Sequence, residues 1–362
     1  FDRTIAPMER ILIVRMGAMG DIVHGLPAVA LLRQRFPEAH IGWVIERRWT
    51  DLLCAQGAAS DAPLSPEKPL VNDIFMVDTK SWRKAMLASE TRRQLRDVVA
   101  DIRSQEFEVT IDLQGSLKSA LAARASQAER ILGPAKPREF PAQWFYTEKV
   151  PTPRPHVIAQ YYDLMAPLIG KAASPQGGAK LLPVDPASER WCEQEVRERK
   201  LSGWRYAVLS PGAGWKAKEW PAKRYGELAR HLAKDGIRSL VNVGPSEAEL
   251  ADIVSESSGG HAQPIRCNIA QLIALLRNAS LFVGGDTGPM HLANLLGIPV
   301  VALFGPTDPA RNGPYFQPHV VLRDPASVTS YSHSRTSDAG LRQITVEQVL
   351  NAALGIVMTV KS

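Results

Sequence analysis

Cysteine is scarce: Cys54, Cys192 and Cys267 are the only three in 362 residues, and they stand too far apart for a metal-binding or redox spacing. A disulfide scaffold is thereby excluded, and the three read as core fillers in a reducing compartment. Long apolar runs are also missing. No stretch approaches the ~18–20 residues of a membrane span, and no charged segment followed by an apolar one opens the chain as a signal peptide would, so the expectation is a cytoplasmic protein. No Asp-x-Asp triplet occurs, which removes the usual metal-diphosphate signature. The Gly-x-x-x-x-Gly-Lys-Ser/Thr spacing of a phosphate-binding loop is absent, so ATPase chemistry is not indicated.

What is present suits a globular enzyme or binding protein. The chain is 45% hydrophobic and 22% charged. Its length exceeds one ordinary core and predicts two domains. A net charge of +6 favours an anionic partner: nucleic acid, a phosphorylated substrate or an anionic lipid surface. Charge alone does not choose among them.

Short Ile/Val/Phe-rich runs at 10–15, 41–45, 73–77 and 108–113 alternate with helical periodicity at 22–36 and 81–105, the rhythm of a doubly wound parallel sheet. The segment 171–188 is rich in Pro, Gly and Ala, has no periodicity and reads as a linker. The rhythm then resumes, with strands at 205–210, 238–243, 280–284 and 299–304 and helices near 222–234, 246–257, 269–278 and 289–296. A polar stretch, 325–342, reads as a surface loop before a last helix at 345–358. The predicted domains are 8–172 and 189–344, joined by a linker at 173–188, with 345–362 a terminal helix able to pack back on the first domain. Two such sheets would face a central cleft at the carboxyl ends of their strands.

Four motifs lie at strand ends. "GGDTGPMHLA" (284–293) leads from a strand into a helix whose start carries a proline, and a helix start offers backbone N–H groups and positive dipole to phosphate. Asp286 and Thr287 can equally be caps of that helix. His291 falls in its first turn and leans back toward it. "FGPTDP" (304–309) adds a second polar turn after the next strand, which strengthens the ligand reading. "PGAGWKAKEWP" (211–221) places Gly212 and Gly214 where backbone can approach a ligand and Lys216 or Lys218 where a diphosphate can be reached.

In the first half, "RMGAMGDIVH" (15–24) lacks the Gly-x-Gly-x-x-Gly order of dinucleotide binding, although Glu46 ends the second strand where a ribose-binding carboxylate can sit. Asp21 opens a helix, either as an ordinary cap or as a general base at the end of the first strand. Arg47, Lys80, Arg83, Lys84 and Lys118 gather cationic side chains near strand ends, as phosphate or carboxylate binders do.

Along nearly its whole length, from "ILIVRMGAMGDIVHGLPA" through "IDLQGSLKSA" and "KEWP" to "GGDTGPMHLANLLGIPVVALFGPTDP", the chain resembles the heptosyltransferases of lipopolysaccharide core synthesis, the ADP-heptose glycosyltransferase family. "DLQGSLKSA" and "KSWRK" are most similar to those members that act on Kdo-bearing lipid A. The resemblance implies an α/β GT-B fold of two Rossmann-like domains and inverting transfer of heptose from ADP-heptose to a Kdo of Kdo-lipid A, with no metal and no cofactor. It further implies residence at the anionic inner face of the inner membrane and no nucleic-acid partner. By position, Asp21 matches the catalytic base and Lys218 the basic residue near the donor diphosphate. Asp286, Thr287, Gly288 and His291 match the donor-binding turn, Glu247 stands as the acid holding the donor ribose, and Gly214 belongs to the donor loop. Lys80, Arg83, Lys84, Lys118 and Gln114 would face the acceptor's phosphates and carboxylates. The chain departs from the family in having Ala213 and Gly214 in place of a Thr pair before the lysine, and in lacking a late Cys-Met pair. The alternatives are a GT-B transferase using a UDP- or GDP-sugar and a nucleotide- or lipid-binding module without turnover.

Overall fold

A computed structural model describes residues 9–170, 177–244, 247–330 and 336–359. The chain forms two compact units, one of residues 1–176 and 180–184, the other of 177–179 and 185–362. The expected linker therefore crosses between the units; its residues 171–176 lie outside the described ones, and Pro186 already begins a helix.

The first unit runs β1 (Arg10–Val14), α1 (Met19–Arg35), β2 (His40–Glu46), β3 (Asp73–Val77), α2 (Thr79–Lys84), α3 (Ser89–Ser104), β4 (Val109–Asp112), α4 (Leu117–Ala125), β5 (Arg130–Pro134), β6 (Glu148–Val150) and α5 (Val157–Ile169). Its sheet has the order β3-β2-β1-β4-β5-β6, with every neighbouring pair parallel. Ile11, Leu12, Ile13 and Val14 are all fully buried, as a central strand covered on both faces requires.

The second unit runs α6 (Pro186–Glu198), β7 (Arg205–Ser210), α7 (Ala222–Lys234), β8 (Ile237–Asn242), α8 (Ala248–Ser258), β9 (Ala262–Ile265), α9 (Ile269–Arg277), β10 (Leu281–Gly285), α10 (Gly288–Leu296), β11 (Val300–Phe304), α11 (Pro309–Asn312), β12 (His319–Arg323), α12 (Ala339–Gln343) and α13 (Val346–Thr359). Its order is β12-β11-β10-β7-β8-β9, again parallel throughout. Counted from its own first strand this is the same topology as in the first unit, so a doubly wound Rossmann-like fold occurs twice.

Several expectations need correction. The single helix expected at 81–105 is two, α2 and α3, separated by residues 85–88, and no glycine or proline marks the break. The strands β5, β6, β9 and β12 are absent from the sequence reading: β6, β9 and β12 are short edge strands, and β5 ends in Gly133-Pro134. The terminal helix α13 belongs to the second unit. Val349, Ala353, Ile356 and Val357 bury its apolar face in the second unit's core, beside Leu228 and Leu232 of α7 and Val301 and Leu303 of β11. Residues 339–343 of the supposed polar loop are helix α12, and 331–335 lie outside the described residues.

Candidate active site

A doubly wound sheet offers a crevice where adjacent strands lead to opposite faces, at their carboxyl ends. In the second unit that point lies between β7 and β10, and two of the sequence motifs meet there. Loop 211–221 leaves β7, and Asp286 and Thr287 join β10 to α10. Lys218 Nζ donates to Asp286 Oδ2 at 2.7 Å and to the Asp286 carbonyl at 3.1 Å. The other carboxylate oxygen, Oδ1, lies 3.0 Å from His291 Nε2.

Asp286 and His291 are both buried. Burial pushes the Asp286 carboxyl up, but the His291 hydrogen bond and charge, together with Lys218, outweigh it and hold the group well below the usual carboxylate range. With both oxygens engaged, Asp286 acts as a strut that fixes an ammonium and an imidazole at the mouth of α10. Lys218 Nζ also lies 5.3 Å from the centre of the Trp215 ring.

The capping reading of this turn is not what the structure has. Thr287 occupies the cap position but its side chain makes no capping bond; its hydroxyl donates instead to the Gly285 carbonyl at 3.3 Å. The cap side chain thus leaves the first N–H groups of α10, which begins at Gly288, without a capping bond, and an anion can take that place.

Glycine makes the close approach of the two loops possible. A Cβ on Gly285 would stand 2.9 Å from the Lys218 carbonyl. On Gly212 it would overlap the Glu247 carboxylate at 2.2 Å. Glu247 also accepts from Gly244 N at 2.7 Å, so this acid sits against loop 211–221. Gly212 thus gives its space to Glu247, not to a ligand, whereas a Cβ on Gly214 would meet nothing within 4 Å.

Residues far along the chain brace this loop. Asp338 N donates to the Ala217 carbonyl at 3.1 Å, and Ser337 Oγ to the Glu219 carbonyl at 2.6 Å. Trp220 Nε1 donates to the Ile344 carbonyl at 2.9 Å. In the turn after β11, Thr307 is buried and its hydroxyl has no partner among the described residues. The sequence offered the polar turn 304–309 but nothing to single out that hydroxyl.

The corresponding crevice of the first unit lies between β1 and β4. Here α1 starts at Met19, so Asp21 sits inside the first turn. Its Oδ2 accepts from Ala18 N at 3.0 Å and pairs with Arg15 Nη2 at 2.6 Å. The Asp21 side chain is 40% exposed and that of Arg15 only 6%. Oδ1 bonds to no described residue. Asp21 is both helix-start residue and available acid, and Arg15, which sequence reading passed over as a strand end, orients it.

Gln114, expected among the acceptor contacts, is buried; its Oε1 accepts from Met16 N at 3.0 Å, which ties the loop after β4 to the loop after β1, and one N–H of its Nε2 donates to Ser116 Oγ at 2.8 Å. Asp112 fixes the same loop, accepting from Gln114 N, Gly115 N, Ser119 Oγ and Tyr146 OH at 2.7–3.1 Å.

The basic residues converge in part. Lys80, Arg83, Arg92 and Lys118 line one cavity of about 520 Å³ with Glu46 and Trp82. Lys118 Nζ donates to Thr79 Oγ1 at 3.3 Å, and Thr79 donates to the buried Glu46. Lys84 and Arg47 are not among the residues around it. Glu46 shares this cavity with the cations, and its carboxylate accepts from Thr79.

Comparison with known proteins agrees with this geometry. A family model described as glycosyltransferase family 9 (heptosyltransferase) matches residues 95–338. Lipopolysaccharide heptosyltransferase 1 of Escherichia coli K12 is 26% identical over 320 residues, covering 87% of this chain and 94% of that protein. Its Pseudomonas aeruginosa counterpart is 26% identical over 317 residues, 86% of this chain and 83% of that protein. The solved structure of E. coli heptosyltransferase WaaC with ADP superposes with a TM-score of 0.75 at 25% identity, covering 94% of this chain and 97% of that one. With two Rossmann-like units, a cationic helix mouth and a family match over most of its length, this chain belongs to glycosyltransferase family 9, the heptosyltransferases.

Proposed function

We propose that the chain transfers heptose from ADP-heptose to a Kdo of a Kdo-lipid A acceptor, with inversion at the anomeric carbon and without a metal. The observation that carries this reading is the Lys218–Asp286–His291 cluster at the head of α10. Transfer breaks the bond between the anomeric carbon and the diphosphate, forms a bond to the acceptor oxygen, and moves the hydroxyl proton to a base. Asp21 Oδ1 takes that proton. The departing ADP gains negative charge, which Lys218 and the uncapped N–H groups of α10 neutralise. In this reading Lys218 and the start of α10 meet the diphosphate directly, without a metal between them.

Glu247 binds the donor ribose, backbone at Gly214 approaches the donor, and Lys80, Arg83, Lys84 and Lys118 bind acceptor phosphates and carboxylates. The relatives named above support the donor and the lipopolysaccharide acceptor. The reaction belongs at the cytoplasmic face of the inner membrane; among the described residues no helix is long and apolar enough to cross one.

The test is ADP release from ADP-heptose with and without Kdo-lipid A, with UDP- and GDP-sugars as controls and with EDTA. Acceptor-dependent ADP release that survives EDTA is expected. Silence with ADP-heptose and acceptor together would sink the transferase reading, and loss of turnover in EDTA would sink the metal-free one. Lys218→Ala should weaken ADP binding about tenfold or more, as loss of a charge-assisted hydrogen bond does; unchanged affinity removes Lys218 from the donor site.

A further inference from the structure

Large apolar side chains scattered singly on a surface are ordinary, but a connected group of them is not. The first unit carries such a group. Phe140 and Trp144 are 67% and 71% exposed and pack edge to face, ring centres 6.1 Å apart and planes at 84°. They stand on a 3-10 turn, Phe140–Phe145, that packs against α4. On α4, Leu117 and Leu121 are one turn apart and 39% and 50% exposed. Leu117 N donates to Glu139 Oε2 at 2.9 Å, which ties the start of α4 to the residue before Phe140.

From Leu117 the surface continues to Lys118 and the basic cavity, whose rim carries Met86 and Leu95, 66% and 48% exposed. Leu87 beside Met86 is 86% exposed. The break between α2 and α3, which periodicity did not foresee, puts these two side chains outward. Cations accompany the whole strip: Arg124 on α4 and Lys136 and Arg138 ahead of the aromatic pair are exposed, as are Arg92 and Arg96 on α3. The nearby acids are fewer: Glu139, which accepts from Leu117 N, Glu90, which pairs with Arg93, and the exposed Asp97.

We propose that this strip, with Phe140 and Trp144 as its anchor and Leu121, Leu117, Met86 and Leu87 as its continuation, seats the first unit on an anionic phospholipid bilayer. The amphipathic indole of Trp144 suits the headgroup level, where one part of the residue is apolar and the other wet, and the Phe140 ring adds apolar area beside it. Exposed Lys and Arg near an anionic leaflet each add attraction to the surface. Charge complementarity therefore selects a membrane over a neutral protein partner. Continuity with the basic cavity supplies a purpose: an acceptor embedded in the same bilayer presents its sugars beside Lys80, Arg83 and Lys118. This step rests on the lipid acceptor of the proposed function, whereas docking itself requires no turnover.

The test is co-sedimentation of the full chain with vesicles of phosphatidylcholine alone or mixed with phosphatidylglycerol. The chain should bind the mixed vesicles more tightly, and Phe140→Ser with Trp144→Ser should lower that partition at least about tenfold, as withdrawal of two aromatic anchors predicts. Met358→Ser, an exposed apolar change in the second unit, should leave it unaltered. The double variant's thermal transition and ADP binding report that it is folded. Turnover with a deacylated, water-soluble acceptor, measured in parallel, should be unchanged. Equal vesicle binding by the double variant and the original chain overturns the proposal, as does no vesicle binding at all. A dimer in sedimentation equilibrium that the double variant dissolves overturns it too, since the strip would then join two copies. Docking without turnover, or turnover without docking, separates failure of the transferase reading from failure of this one.

Discussion

Asp21 and Asp286 both stand at the start of a helix that follows a parallel strand, in sheets of the same topology, and their surroundings are opposite. Asp21 lies within the first turn of α1, is 40% exposed, and has one oxygen held by Arg15 and Ala18 N while the other bonds to no described residue. Asp286 lies before the cap of α10, is buried, and has both oxygens engaged by Lys218 and His291. A carboxylate with an oxygen left to water can accept a proton from a substrate. A carboxylate with none left can only position its partners. The position of each residue relative to its helix start, three residues inside or one residue outside the cap, sets that difference.

The comparison breaks most sharply in catalysis. Asp21→Asn keeps the shape and the contact with Arg15 but removes the base, so kcat should fall about 10²–10⁴-fold with ADP affinity unchanged, measured by steady-state ADP release and calorimetric titration. A loss below tenfold would make Asp21 only a helix-start residue. Asp286→Ala should act on the fold instead. It strands a half-buried lysine and a buried histidine, and urea unfolding should show a loss of about 3–5 kcal/mol. If stability stays within 1 kcal/mol of the parent, Asp286 is no strut.

A smaller effect separates the glycines. Gly285→Ala drives a Cβ against the Lys218 carbonyl, so loop or strand must shift, at about 1–3 kcal/mol and with weaker ADP binding. Gly214→Ala meets open space and should change stability by no more than about 0.5 kcal/mol. Equal effects at the two sites would refute the close approach of the loops. Acid supplies the mildest probe. The folded Asp286 carboxyl lies below its unfolded value, so its contribution to stability is complete above about pH 4 and is lost as pH falls from there. Unfolding midpoints of the parent should decline through that range more steeply than those of Asp286→Asn, and parallel declines would remove the linkage.

Periodicity was enough for most of the second unit. The helix α7 spans the anticipated residues 222–234, and β7 coincides with 205–210. Central strands carry continuous apolar runs because both faces are covered, and such runs are visible without a structure. The second unit's edge strands are not: β12 has every residue only partly buried, and β9 contains a proline. The cationic residue types of the site were legible at strand ends as well. Their use was not, since nothing local ties Gln114 to Met16 N, and Arg15 reads as strand until its guanidinium meets Asp21.

By itself the sequence determined that two parallel α/β units form, where their polar turns fall, and which motifs ally the chain with the heptosyltransferases. Those properties are local in the chain: strand runs, helix starts and short spacings. The tertiary structure decided which acid is open and which is locked, that α13 closes the second unit's core, and that residues 337–344 brace the loop bearing Lys218. Each depends on contacts between residues distant in sequence, Asp286 with Lys218 and Ser337 with Glu219 among them. Hydrogen bonds and burial at such distances follow from how the elements pack, and no periodicity along the chain encodes them.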